Sequence, residues 1–225
     1  MSETDSFIEE VTEEVRRDRL FQQFRRYGWI AVLAVVLLVA GASWNEWNKA
    51  QQRAQAQALG DQILAALEAP ERATRAEALA QVEAPGGGVE AVIALLTAGE
   101  ESGVDPQEAA TRLMALADDP DVPQVYRQIA VLKGVSIADN GMSADDRRTR
   151  LEGLLPGGGL VRLLAEEQLA LIDMETGATG AALDRLRDIS ENAEATPGLR
   201  RRVAQLIVAL NGDETAPADG ATQGD

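Results

Sequence analysis

Hydrophobic and polar positions divide the chain at one stretch, WIAVLAVVLLVAGASW, where sixteen consecutive residues from Trp29 to Trp44 carry no charge. Val, Leu and Ala fall there at every helical register instead of on one stripe, the pattern of a helix that is apolar all round. Tyr27 and Trp47 extend the segment to twenty-one residues, which at ~1.5 Å per residue is roughly 31 Å, close to the hydrocarbon thickness of a bilayer. Trp29 at one end and Trp44 and Trp47 at the other stand where interfacial anchors stand. The pattern predicts one N-terminal transmembrane helix over residues 28–47. Arg25 and Arg26, with Arg16, Arg17 and Arg19 before them, flank its start, and only Lys49 and Arg53 lie close behind its end. Basic residues stay on the cytoplasmic side, so residues 1–27 are expected in the cytoplasm and the long remainder across the membrane. Ala40-Gly41-Ala42 has the small residues of a signal-peptidase site. The first 28 residues include seven acidic ones, however, whereas a signal peptide opens short and basic, and the absence of cysteine excludes a lipoprotein anchor. An uncleaved anchor is the reading adopted.

Before the span, Ile8, Val11 and Val15 share a helical face that Leu20 and Phe24 continue. This cytoplasmic amphipathic segment either lies on the inner leaflet or a partner, or is a solvated lead-in that sets orientation. After the span, residues 48–70 are strong helix formers broken only by Gly60, and they predict a helical stalk that enters the following domain.

From residue 71 to 210 the apolar period is helical and recurs in pairs. Helix pairs are predicted from about Val89 to Asp118, Val125 to Leu155 and Leu160 to Ile189, after a weaker helix near Arg72 to Val82. Their first helices start 36 and 35 residues apart, close to the ~34-residue period of a tetratricopeptide repeat. In the second helices, Asp105 as N-cap, Pro106 at the first position and Glu108 three residues on form a capping box. Ala109, Leu113, Leu116 and Ala117 then line one face. Ser143 and Asp146 repeat the spacing before Leu151, Leu154 and Leu155; Gly177 ends a helix, and Ala182, Leu186 and Ile189 line the next. Thr196-Pro197 opens a last helix with Leu199, Val203, Leu206, Ile207 and Leu210 inward and Arg200, Arg201 and Arg202 largely outward, as a terminal repeat requires. Residues 211–225 have nothing to bury and read as a disordered acidic tail.

Composition sharpens this picture. Seven of the eight aromatic residues lie at or before Trp47, leaving Tyr126 alone afterwards. A core of Ala, Leu, Val and Ile suits packed helices, and no stretch alternates with period two, so the expected fold is all-α: a transmembrane helix followed by a tetratricopeptide-repeat-like α-solenoid. A formal charge of −16 argues against nucleic acid. With no cysteine and no histidine, thiol chemistry, the commonest metal ligand and the commonest general base are missing. The runs Gly86 to Gly88 and Gly157 to Gly159 lack the Lys-Ser or Lys-Thr of a phosphate loop and read as interhelical turns. The acidic pairs Asp118-Asp119, Asp145-Asp146 and Glu166-Glu167 read as solvated helix ends; Asp118, Asp119 and Asp121 lack the length and glycine of a calcium loop. No catalytic, cofactor or metal residues are assigned, and no enzyme is expected.

Three stretches carry a resemblance: FIEEVTEEVRRDRLFQQFRRYGW before the span, YRQIAVLKG in the middle, and LAEEQLALIDMETGATGAALDRL later. With the anchor-plus-repeat layout, from about Phe7 to Leu210, the chain resembles the YfgM-type ancillary subunit of the bacterial Sec translocon. The family's acidic residue after the turn glycine is absent, since Ala178 follows Gly177. The resemblance implies a single-pass protein of the bacterial inner membrane with a periplasmic domain. It would bind translocon subunits, periplasmic chaperones or exported clients, with no small-molecule substrate. A scaffold in envelope assembly or cell division is the alternative. Stacked helix pairs make a concave surface for such partners, whose contact residues the sequence does not assign; an acidic groove there would favour basic or neutral clients.

Overall fold

The computed structural model describes residues 3–84 and 86–214, with side chains from Trp29 to Asn211 except Ala31 and Pro85. The described residues are all helical, with no strand. The chain divides after Gly60 into two compact units. The first holds most of α1 (Glu3–Leu67), whose helix passes through Gly60 without a break. The faces expected for Ile8, Val11, Val15, Leu20 and Phe24, and the side chains of Arg25 and Arg26, lie outside the described residues, as does the tail from residue 215.

Trp29, Val32, Leu33, Val35, Leu37 and Leu38 are each at least 48% exposed, on successive faces of α1. Among the described residues no helix is long and apolar enough to cross a membrane; the side chain of Ala31, inside the apolar run, is not among them.

The second unit contains α2 (Arg72–Ala80), α3 (Gly87–Glu101), α4 (Pro106–Asp118), α5 (Gln124–Ser136), α6 (Ala144–Glu152), α7 (Gly159–Glu175), α8 (Thr179–Glu191) and α9 (Pro197–Glu214). Each expected helix pair is present, within two or three residues of the predicted limits. The helices α3, α5, α7 and α9 begin 37, 35 and 38 residues apart. The helix α9 continues to Glu214, past Leu210, where periodicity ended.

Local chemistry accounts for the helix limits. The Asp105 carboxylate accepts from the Gln107 and Glu108 amides at 3.2 and 3.0 Å, with Pro106 in the first turn of α4. The reciprocal half of the expected capping box is not made: the Asp105 amide donates to Glu101 O at 2.8 Å. Glu108 lies instead 3.9 Å from Arg112, one turn on. Ser143 Oγ accepts from the Asp146 amide at 3.1 Å, and Thr196 Oγ1 from the Leu199 amide at 3.2 Å. At the end of α7, Gly177 adopts φ +78°, and its amide and that of Ala178 donate to Met174 O (3.1 Å) and Asp173 O (2.7 Å). That is a Schellman closure, which glycine enters without a Cβ penalty.

Packing follows a simple rule: each first helix buries two stripes, one against each neighbouring pair. On α7, Ala165, Leu169 and Ile172 pack with Val131, Val135 and Leu151 from α5 and α6. Leu163 and Ala170, one heptad apart on a second stripe, pack with Leu186, Leu199 and Val203 from α8 and α9. On α5, Ala130 faces Ala91, Ala109 and Leu113 in the cluster of α3 and α4, while Val131 faces α7. Alanine at so many buried positions lets the helix axes approach closely. Gly134 takes this furthest, since a Cβ there would stand 3.2 Å from Leu113 Cβ and against the Met114 methyl.

Gly134→Val is therefore expected to destabilise the second unit by about 1–3 kcal/mol through overpacking. Gly177→Ala should cost about 1–2 kcal/mol through left-handed strain. Gly180→Ala, with nothing within 4 Å, should be neutral or slightly stabilising. Urea midpoints of the three variants against the parent chain check the order.

Candidate protein-binding groove

Because the first helices lie side by side, their outer stripes are left facing one another across a shared surface. Between α5, α7 and α9 they enclose a groove of about 590 Å³. Its apolar lining comes from Leu132 of α5, Leu164 and Leu171 of α7, and Leu206 of α9. On α7, Leu164 and Leu171 are one heptad apart, a third apolar stripe beside the two that build the core. The polar lining is Ser136, Gln168 and Gln205, with the charged groups Lys133, Glu167 and Arg202.

Glu167 is only 6% exposed. Both its oxygens are held by one guanidinium: Arg202 Nε donates to Oε1 at 2.9 Å and Nη2 to Oε2 at 2.7 Å. A planar fork against a carboxylate satisfies both partners at once, and this pairing lets the carboxylate remain buried. The hydrogen bonds to Glu167 raise the Arg202 pKa above its already high ordinary value. Arg202 therefore stays charged and locks α9 to α7. The periodicity puts Arg202 largely outward, and its side chain is 54% exposed although it reaches back to Glu167; the expectation of Glu166-Glu167 at a solvated helix end is corrected. The pair lies inside α7, and each carboxylate faces an arginine from a later helix.

Glu166 belongs to a second ionic knot behind the groove. Arg185 of α8 donates to Glu166 Oε2 at 2.5 Å and to Asp173 Oδ2 at 2.9 Å, while Arg148 of α6 donates to Asp173 Oδ1 at 2.7 Å. Asp173 is 3% exposed. Burial pulls the Arg185 pKa down, but its hydrogen bonds to Glu166 and Asp173 outweigh this and raise it. The same fork recurs earlier, where Arg112 of α4 grips both oxygens of Glu101 at 2.8 and 2.7 Å, while Arg75 of α2 directs Nε and Nη2 to the single Oε2 of Glu100 at 3.0 and 2.7 Å.

The carboxylates of the other acidic pairs have partners at Asp118, Asp119 and Asp146. Asp118 is bridged by both guanidinium ends of Arg150, one at 2.9 Å, and Asp119 accepts from the Asp121 amide at 2.9 Å. Asp146 takes the Ser143 hydroxyl at 2.7 Å. Among the described residues no group of three metal-ligating side chains comes together. A second concavity of about 490 Å³ lies by the end of α2, lined by Glu83, Glu90 and Arg112. With Arg112 already committed to Glu101, that concavity is acidic. The larger groove is not.

Of the anchor residues singled out from sequence, Trp29, Trp44 and Trp47 are 64%, 69% and 59% exposed on α1. The rings of Trp44 and Trp47 lie 5.4 Å apart at 46°. Sequence reasoning left the groove residues unassigned. The signal that could have found the groove is Leu171, a large apolar residue on α7 outside its two buried stripes.

Two measurements test the ionic assignments. Arg202→Met alone, which strands a buried carboxylate, should cost about 3–5 kcal/mol, and adding Glu167→Leu should recover most of it. The exposed Asp118 pair should matter far less. Its hydrogen bonds from Arg150 lower the Asp118 pKa below the usual carboxylate value. Its contribution is thus present at neutral pH and is lost as pH falls through that lowered value. Asp118→Asn should then change neutral-pH stability by under about 1 kcal/mol, and the difference from the parent should vanish in acid. Urea titrations at neutral and acid pH read both.

Comparison with known proteins finds no matching family model, no matching curated protein and no matching solved structure.

Proposed function

We propose that the chain is a membrane-tethered, non-enzymatic protein-binding scaffold of tetratricopeptide-repeat type. The observation that carries the reading is the groove across three successive first helices, with leucines along its lining and side chains fixed by buried ion pairs. A surface of stacked helices that is concave, apolar and rigid suits a segment of another polypeptide.

The tether is the stretch from Trp29 to Trp47. Large apolar side chains exposed on every face of a helix would be unfavourable in water and are favourable in hydrocarbon, where Leu, Ile and Val each contribute about 0.3–0.6 kcal/mol at mid-membrane. Trp29, Trp44 and Trp47 would lie at the two interfaces, with Arg25 and Arg26 holding the N-terminus in the cytoplasm. The second unit would then lie in the periplasm, beside a bacterial inner-membrane partner. The sequence resemblance supports the Sec translocon as that partner, with periplasmic chaperones or exported chains as clients of the groove.

The test is purification of the full-length chain from mildly detergent-solubilised membranes, with mass spectrometry of the retained proteins. A variant with residues 28–47 replaced by an unrelated span runs beside it. Enrichment of translocon subunits and a periplasmic chaperone is the expected result, with the translocon lost in the span swap. Enrichment of envelope-assembly or division proteins instead would sink the translocon assignment. Recovery of the chain in the carbonate-soluble fraction would sink the tether.

A further inference from the structure

We infer that the groove between α5, α7 and α9 selects acidic apolar segments: peptide stretches of a partner that combine bulky apolar side chains with a carboxylate. This rests on the protein-binding reading above and adds the chemistry of the ligand. The argument is one of unspent charge. Three charged side chains line the groove, and its single anion is already used. Glu167 is buried and gives both oxygens to Arg202, so a basic ligand could reach it only by displacing a bidentate guanidinium and leaving Arg202 without its partner. The two cations are not used up. Lys133 is exposed and has no ion-pair partner among the described residues. Arg202 spends Nε and Nη2 on Glu167, is 54% exposed in its side chain, and keeps Nη1 without a partner among the described residues.

A locally cationic groove in a chain of net charge −16 is a specific feature. The net charge repels acidic peptides at long range, so discrimination at the groove must come from short-range pairing at Lys133 and Arg202. Gln168 and Gln205 can hydrogen-bond a ligand of either sign and do not bias the choice. Leu132, Leu164, Leu171 and Leu206 supply the apolar contact. The chain's own residues 212–225 are acidic, but they contain nothing apolar larger than proline and cannot fill a leucine-lined groove. A segment of a separate polypeptide, bringing Leu, Ile or Phe beside Asp or Glu, meets both demands.

The probe is a pool of twelve-residue peptides with Leu, Ile or Phe at two positions and all others randomised, captured on full-length protein in detergent and sequenced. The expected result is enrichment of Asp and Glu over Lys and Arg by about three- to tenfold near the apolar positions. That bias should weaken as salt is raised. Lys133→Glu, an exposed substitution, should remove or invert the enrichment while peptides are still retained. Equal or basic enrichment on the parent chain, or a bias unchanged by Lys133→Glu, overturns the charge inference and leaves the groove reading intact. A Leu171→Asn variant, which removes apolar contact from the groove wall without adding charge, separates the two failures. If it retains as much of the pool as the parent, the peptides bind elsewhere, and the groove reading falls together with the inference.

Discussion

The second unit depends on the buried carboxylates of α7. Asp173 and Glu167 are almost wholly withdrawn from water, where an unpaired charge would cost several kcal/mol. Each is tolerable only if particular arginines arrive from elsewhere in the chain: Arg148 from α6 and Arg185 from α8 for Asp173, Arg202 from α9 for Glu167. The backbone of Asp173 is committed as well, because its carbonyl closes the turn at Gly177. Side-chain pairing and chain reversal thus meet at one residue, and α7 becomes the hub on which three helices are fixed. Such pairs are weak contributors to net stability but strong arbiters of register, since any other alignment leaves a buried charge alone.

This explains how a core with so little aromatic content can still specify one arrangement. Leu and Ala make contacts that slide easily: Ala130, Ala165, Ala170 and Ala182 are fully buried yet contribute little area each. Close approach, as at Gly134 against Leu113, provides shape, and the guanidinium forks provide position. The alternating stripes of α5 and α7 then pass the same solution from one helix pair to the next, as expected of an array whose repeats stabilise their neighbours.

The groove is lined by residues that the packing uses only in part. Leu164 and Leu206 lie partly buried against the core of α7, α8 and α9, and Leu132 against that of α5, α6 and α7, while Leu171 is exposed. Beside them stand Lys133, which the ionic scheme does not consume, and Arg202, which it consumes only in part. The large apolar side chains described between Trp29 and Trp47 on α1 are exposed.

The helical class, the pairing of helices and most of their limits were legible in the sequence, because each is written in short-range signals. The caps at Asp105, Ser143 and Thr196, the glycine at 177, and the 3.6-residue period of Leu113, Leu186 and Val203 act within a few residues of themselves. The uncharged run from Trp29 to Trp44 is local in the same way. Where sequence reasoning failed, the missing information was a partner distant in the chain. Glu166 and Glu167 were read as solvated because nothing near them announces Arg185 or Arg202. Arg202 does lie outward, but periodicity separates apolar from polar faces and cannot tell a freely solvated arginine from one reaching back 35 residues. The sign of the groove's charge has the same origin. Net composition is acidic, and the tertiary packing, by pairing off Glu167 and sparing Lys133, leaves the groove cationic.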